Sequence, residues 1–161
     1  MKIKQGAQAN LNGKVFESMM IPIFEASHFE VYTEAELTKL SELPDRYIVK
    51  NASYTTIYKE RGRTEFVIID GTRKIRVEVK YQATQGSVDE KYPYMLLNGI
   101  YQYPENEIIF VVDGGGYKSG ARKWLQEQID KDWLSFKENR KDIKLMYISE
   151  FVNWFNHEFA K

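Results

Sequence analysis

The chain contains no cysteine, so it has no disulfide bonds, no thiolate zinc site and no cysteine nucleophile. Histidine is scarce as well. His28 and His157 are far apart in sequence, and neither lies near a pair of acidic residues. We therefore assign neither histidine a catalytic role.

A long apolar run and a net charge are also missing. No apolar run approaches ~18 residues and the N-terminus lacks the apolar stretch of a signal peptide, so we expect no membrane span, no secretion and a cytoplasmic location. The 23 basic and 23 acidic residues cancel. A polyanionic partner would therefore have to be held by a local basic patch.

The overall amino-acid composition is that of an ordinary globular protein. Hydrophobic residues make up 43% and charged residues 29% of the 161 positions. A chain of this length can bury a substantial core within one domain. We expect a single domain over residues 1–161.

The segment 73–82 has the alternation of a β-strand, in which successive side chains point to opposite faces. One face is apolar and is formed by Ile75, Val77, Val79 and Tyr81. The other face is charged or polar and is formed by Lys74, Arg76, Glu78, Lys80 and Gln82. The apolar face predicts burial, and the polar face is the candidate for chemistry.

Asp70-Gly71 predicts a hairpin turn between this strand and a preceding strand from Arg63 to Ile69. A two-residue loop places Glu65 opposite Arg76, and a four-residue loop places it opposite Glu78. Both put Glu65 on the face of Glu78 and Lys80. A three-residue loop would instead turn apolar residues onto the charged face.

Two carboxylates and an ammonium group are therefore expected to converge on one patch of the sheet. Asp70 is excluded, because its place in the turn puts it on the order of 20 Å from Glu78. Magnesium accepts such carboxylates, and a nearby lysine can orient or deprotonate an attacking water. A cross-strand ladder of ion pairs on a solvated face is the alternative, and the pattern alone leaves both open.

Several other elements are predicted from periodicity and from helix-capping residues. They are a helix from Asn12 through Phe24 that is interrupted by Pro22, a helix over 33–43, short strands at 47–49 and from 53, a helix over 89–100, a buried strand over 107–112, a helical stripe from 121 that continues to Trp133 and Phe136, a strand over 143–147 and a last helix over 149–159.

This order of elements, with Glu65 on one strand and Glu78-Val79-Lys80 on the next, resembles the PD-(D/E)XK nuclease superfamily. Glu65 stands where the family usually has aspartate, and Thr64 where its motif has proline. Gln82 is similar to a Glu-x-Lys-x-Gln variant. The stretch 86–94 resembles a segment that follows the active-site strand in bacterial and phage-type members.

The resemblance implies an α/β fold, in which a mixed central sheet is flanked by helices around a restriction-endonuclease-like αβββαβ core. It implies a Mg²⁺-dependent DNA endonuclease in a bacterial or phage-infected cell, with Mn²⁺ expected to substitute. The implied metal ligands are Glu65, Glu78, the Val79 carbonyl and Glu17. Lys80 would act on the attacking water, and Gln82 would complete the site.

DNA binding is expected from basic residues, with a homodimer where both strands are cut. The expected DNA contacts are Arg61, Arg63, Lys91, Lys118, Ser119 and Arg122. The glycine-rich loop 113–120 precedes a helix, and could either bind a phosphate on its backbone N–H groups or form a tight turn. A non-catalytic DNA-binding protein, a salt-bridged structural protein and an RNA substrate stay open.

Overall fold

The computed structural model describes residues 5–160 of the chain, with side chains from residue 13 onward. Its strands are β1 (Glu30–Thr33), β2 (Arg46–Thr55), β3 (Arg61–Asp70), β4 (Arg73–Tyr81), β5 (Glu107–Asp113) and β6 (Asp142–Met146). Its α-helices are α1 (Gln5–Ala26), α2 (Glu34–Leu37), α3 (Tyr92–Tyr101), α4 (Ser119–Asp130) and α5 (Ile148–Phe159). No helix in the described part of the chain is both long enough and apolar enough to cross a bilayer.

The six strands form one mixed sheet, in which their spatial order follows their order in the chain. β2, β3 and β4 form an antiparallel meander. β1 pairs with β2, β4 with β5 and β5 with β6 in parallel. The α/β class and the mixed central sheet expected from the sequence are thus confirmed.

Helices cover both faces of this sheet. On one face, buried side chains of α1 and α5 pack on the inward residues of β3 and β4, among them Phe24, Phe66, Val77 and Phe155. On the other face, α3 and α4 pack on Ile108, Phe110 and Val112 of β5. β5 is buried on both faces, which accounts for its continuous apolar run.

Several predicted element boundaries are corrected by the structure. α1 begins at Gln5, upstream of Asn12, and continues through Pro22 as one helix, while residues 1–4 lie outside the described part. α2 is capped by Thr33 as expected, through a capping box with Glu36, but it extends only from Glu34 to Leu37. β2 is one strand in place of two.

The helical stripe after residue 121 is also shorter than the sequence suggests. α4 ends at Asp130, and Trp133 and Phe136 lie in a separate 3-10 segment, Trp133–Asn139. Asp132, Leu134 and Ser135 adopt left-handed backbone conformations there. These residues break the α-helix. The helical spacing of apolar residues continues to Phe136, but the helix that this spacing predicts ends earlier.

The hairpin between β3 and β4 turns at Gly71 and Thr72, with Asp70 paired to Arg73. Gly71 has a φ of +61°, a conformation that favours glycine. This register brings Glu65 level with Glu78, as the predicted four-residue loop would, but the loop has only two residues and Asp70 is the last residue of β3 rather than a turn residue. The carboxylate of Asp70 accepts hydrogen bonds from Arg46 at 3.0 and 3.3 Å.

Candidate active site

The site lies where β3 and β4 separate. The pairing of β3 with β4 ends at Phe66 and Val77. If the ladder continued, its next hydrogen-bonded pair would be Thr64 and Val79. The Val79 amide instead donates to Oε2 of Glu65 at 2.6 Å. The Glu65 carboxylate thus takes the position of a backbone carbonyl in the gap between the strands.

A buried arginine holds the neighbouring backbone in this arrangement. Arg76 is 3% exposed and donates to Thr64 Oγ1 at 2.9 Å and to the carbonyl of Ala52 at 3.1 Å. Val67 pairs with Arg76 across the strands, so Val67 and Thr64 both face it although they are three residues apart. A regular strand would place them on opposite faces, so β3 departs from regular alternation next to Glu65.

Three further residues fix the Arg76 guanidinium. Glu105 accepts from it at 2.5 and 3.2 Å. The rings of Tyr54 and Tyr103 lie 5.6 and 5.3 Å from its central carbon, within the range of cation–π attraction. The charge is therefore paired, hydrogen-bonded and enclosed by aromatic rings.

Glu78 and Lys80 follow on β4. Glu78 is 5% exposed, and its Oε1 accepts a hydrogen bond from Lys80 Nζ. Its Oε2 is buried without a hydrogen-bond partner among the described residues. A buried carboxylate oxygen with no partner is unfavourable, so this position is suited to a cation or a donor from outside the chain.

The electrostatics of the three side chains are coupled. Burial, and then the Glu78 carboxylate, raise the pKa of Glu65 to about 8. Burial alone would lower the pKa of Lys80, but Glu78 and Glu65 outweigh it and raise that pKa above its ordinary value. Lys80 is therefore an ammonium at neutral pH, and a second positive charge would relieve the repulsion between the carboxylates.

These residues fit a divalent metal. Among the residues whose side chains are described, no three acidic or histidine side chains form a cluster that could hold one. Magnesium, however, is commonly held by one or two carboxylates, with waters and substrate oxygens completing its shell. An extended residue points its N–H and C=O to the same edge of its strand, so the Val79 carbonyl lies on the edge of β4 that faces the gap beside Glu65.

A cleft of about 230 Å³ opens over Glu78 and Lys80. Three of the basic residues predicted to bind DNA, Arg61, Arg63 and Lys91, line it together with the two site residues. All three are exposed. The structure therefore brings a carboxylate, an ammonium group and a basic rim to one opening.

Two predicted site residues have other hydrogen-bond partners and do not line the cleft. Glu17 of α1 accepts a hydrogen bond from Lys50 Nζ at 3.1 Å. Gln82 donates to the Gly116 carbonyl and accepts from the Val88 amide, both at 3.0 Å. The amide of Gln82 therefore bridges two loops, and the Glu17 carboxylate is paired on the α1 face of the sheet.

The predicted DNA contacts Lys118, Ser119 and Arg122 do not line the cleft. Arg122 donates to the Val112 carbonyl at 3.2 Å and lies 3.5 Å from the ring centre of Tyr147. The amides of Gly114, Gly116 and Lys118 donate to Asp113, Gln82 and Asp89, respectively. These internal bonds favour the tight-turn interpretation of the glycine-rich loop.

Sequence reasoning missed the Arg76–Glu105 pair and the aromatic lining of the cleft. The signal for Arg76 was an arginine midway along a strand whose other face is apolar, which predicts a paired charge once that strand is buried. Glu105 lies in the loop after α3, 29 residues from Arg76. Sequence spacing gives no indication of that contact.

The comparisons with known proteins agree with this geometry. The profile of the PD-(D/E)XK nuclease superfamily domain matches residues 8–159. Searches of curated proteins and of solved structures gave no significant match. The matched range includes the whole sheet and the place where β3 and β4 separate, with Glu65, Glu78 and Lys80. The six-stranded mixed sheet is consistent with a restriction-endonuclease-like core. The chain belongs to the PD-(D/E)XK nuclease superfamily.

Proposed function

We propose that this protein is a Mg²⁺-dependent endonuclease that hydrolyses phosphodiester bonds in DNA. The observation that carries the proposal is the unpartnered, buried Oε2 of Glu78, which lies beside Lys80 at the base of a cleft with a basic rim. A structural ladder of ion pairs would have no need of a free carboxylate oxygen there. A metal-binding site would use that oxygen as a ligand.

Glu65, Glu78 and the Val79 carbonyl would hold the metal. When bound, a divalent ion supplies Lewis-acid polarisation of the phosphoryl group and lowers the pKa of a water molecule. Mn²⁺ has the same preference for oxygen ligands and is expected to substitute. Supporting roles for Glu17 and Gln82 stay predictions, since their side chains are engaged elsewhere.

The chain's own cations supply the remaining chemistry. Lys80, held as an ammonium by Glu78 and Glu65, would orient the attacking water and stabilise the negative charge that develops on the phosphate. Arg61, Arg63 and Lys91 would bind neighbouring backbone phosphates and position the strand. Cleavage of both strands of a duplex would need two such sites, which is the reason to expect a homodimer.

The proposal is tested by incubating circular, linear and branched DNA with Mg²⁺, with Mn²⁺ or with a chelator. Lys80→Ala should lower the metal-dependent cleavage rate by ~10²–10⁴-fold, because it removes the group that acts on the water. Lys74→Ala is the matched control, since this exposed lysine lies on the same strand near the turn. Equal cleavage by wild type and Lys80→Ala, or cleavage that persists in chelator, would contradict the proposal.

DNA binding without cleavage is the second candidate function. The one observation that favours it is the basic rim of the cleft. This candidate predicts salt-sensitive DNA affinity that survives Lys80→Ala, with no cleavage under any metal condition. Single-stranded RNA, included as a further substrate, distinguishes a ribonuclease from a deoxyribonuclease. The presence or absence of cleavage products separates the two candidates.

A further inference from the structure

A stacked pair of tyrosines, one half-buried in the lining of the cleft and one exposed, lies beside the cleft. Tyr58, in the turn between β2 and β3, is 68% exposed. Its ring stacks on Tyr94, with centroids 5.2 Å apart and planes 20° from parallel. Tyr94 lines the cleft together with Glu78 and Lys80. The exposed surface of Tyr58 is therefore an aromatic extension of the cleft.

This turn is fixed to the helix that carries Tyr94. The amide of Ile57 donates to Oδ1 of Asn98 at 2.9 Å, and Asn98 is a fully buried residue of α3. Within the turn, the Thr56 amide donates to the Glu60 carbonyl at 2.8 Å. Thr56 Oγ1 accepts from the amides of Tyr58 and Glu60, both at 3.3 Å. Both tyrosines are thus held by α3, and the exposed ring is preorganised.

The exposed charges that line the cleft beside the pair are three basic residues and one acidic residue of the turn, Glu60, and their net positive charge complements a nucleic-acid strand. Arg61 and Arg63 follow the turn on β3, and Lys91 immediately precedes α3. An aromatic ring beside a basic groove is the combination that binds unpaired strands, because every base offers a ring face for stacking. Bases inside a duplex have both faces covered by their neighbours. An exposed ring at this position therefore favours a base that is out of the helical stack.

We propose that Tyr58, supported by Tyr94, stacks on an unpaired nucleobase at the mouth of the cleft. The preferred substrate is then a nucleic acid with a single-stranded segment next to the bond that is cut. This inference rests on the proposed function, since it places the base beside the phosphodiester chemistry. Its recognition step is nevertheless measurable without cleavage.

The test is fluorescence anisotropy in chelator, with a labelled single-stranded oligodeoxynucleotide and a blunt duplex of the same length. Tyr58→Ala should weaken binding of the single strand ~10-fold, the loss expected for one stacked base, with little change for the duplex. Tyr58→Phe should retain the wild-type affinity, because stacking needs the ring and not the hydroxyl. Tyr101→Ala is the matched control, since this tyrosine of α3 is 52% exposed and does not line the cleft.

Cleavage assays then separate this inference from the proposed function. In Mg²⁺, Tyr58→Ala should lower cleavage of a flap or single strand relative to a blunt duplex, while Tyr101→Ala should not. A protein that cuts DNA with the same substrate ratio in wild type and Tyr58→Ala would overturn the stacking proposal and leave the nuclease proposal intact. Tyr58-dependent binding of single strands without cleavage would overturn the nuclease proposal alone. Affinity for single-stranded RNA that falls in Tyr58→Ala would support the same base stacking for RNA.

Discussion

Glu65 is the residue whose protonation should most affect the stability of the metal-free protein. Its pKa is raised from the ordinary 4.5 to about 8 by burial and by the Glu78 carboxylate. Between these two values the folded state holds a proton that the unfolded state releases. The stability that this group contributes is therefore fully present below about pH 4.5 and is lost as the pH rises toward about 8.

The expected result is a falling free energy of unfolding as the pH rises, by at most about 1.4 kcal/mol per pH unit for this group. The measurement is urea unfolding in chelator from about pH 5 to about pH 8. Glu65→Gln, which cannot ionise, should flatten the profile, and added Mg²⁺ should stabilise the wild type most at the alkaline end. Parallel profiles for wild type and variant would contradict the assignment.

The Arg76–Glu105 pair is the residue-scale contact on which folding most depends. Both side chains are buried, and the guanidinium also donates to Thr64. Removing one partner leaves an uncompensated buried charge, so Glu105→Gln or Arg76→Met should lower the free energy of unfolding by about 3–5 kcal/mol. Chemical denaturation measures this loss.

The control is Asp142→Asn, which removes an exposed ion pair with Lys144 at 3.6 Å. Its expected effect is about 0–1 kcal/mol. Similar losses in the buried and the exposed variants would mean that the Arg76 contacts do not support the fold. A loss confined to the buried pair would agree with the structure.

At the scale of elements, the antiparallel hairpin was the most predictable part of the chain. Alternation and a short turn predicted two registers, one of which brings Glu65 level with Glu78, but did not predict that β3 departs from regular alternation next to Glu65. The same rule gave no prediction of the Gln82 contacts with Gly116 and Val88, since β4 ends at Tyr81 and these partners lie in later segments of the chain. It also gave no access to Glu105 or Tyr58, whose positions depend on how loops return to the sheet.

The loop after β5 gives an element-scale prediction. A Cβ at Gly114 would lie 2.3 Å from the Gln82 carbonyl oxygen, and its φ of +117° disfavours other residues. Gly114→Ala should therefore destabilise the protein by about 1–3 kcal/mol, because backbone would have to move. Thermal or urea unfolding measures the change.

Gly120→Ala is the matched control for that loop. Gly120 lies in α4, has no atom within 4 Å of an added Cβ and has no positive φ. Alanine is favoured over glycine in a helix, so this variant should be neutral or more stable by up to about 1 kcal/mol. Opposite signs for the two variants are expected, and equal destabilisation would refute the close backbone packing.

At the scale of the whole molecule, zero formal net charge means that DNA is not attracted by overall charge. Under the proposed function, affinity for DNA would come from the local rim formed by Arg61, Arg63 and Lys91. Arg63→Ala should therefore weaken binding and reduce the slope of log affinity against log salt by about 1, which is the effect of losing one phosphate contact. Binding in chelator at several salt concentrations gives the slope.

Lys74→Ala removes an equal charge from the turn end of β4, away from the rim. It should leave the slope unchanged. A global effect of charge would lower the slope equally in both variants, whereas a local rim lowers it only in Arg63→Ala. The comparison thus locates the DNA-binding surface without the need for cleavage.

The hydrogen bond from the Val79 amide to Glu65 has a consequence for spectroscopy. Most amides in a sheet are protected from hydrogen exchange by backbone carbonyls, and their exchange reports unfolding. This amide is protected by a side chain whose charge depends on pH and, under the proposed function, would also respond to a bound cation. Its exchange rate and chemical shift in NMR spectra therefore follow the state of the site directly, in the intact protein and with no nucleic acid present.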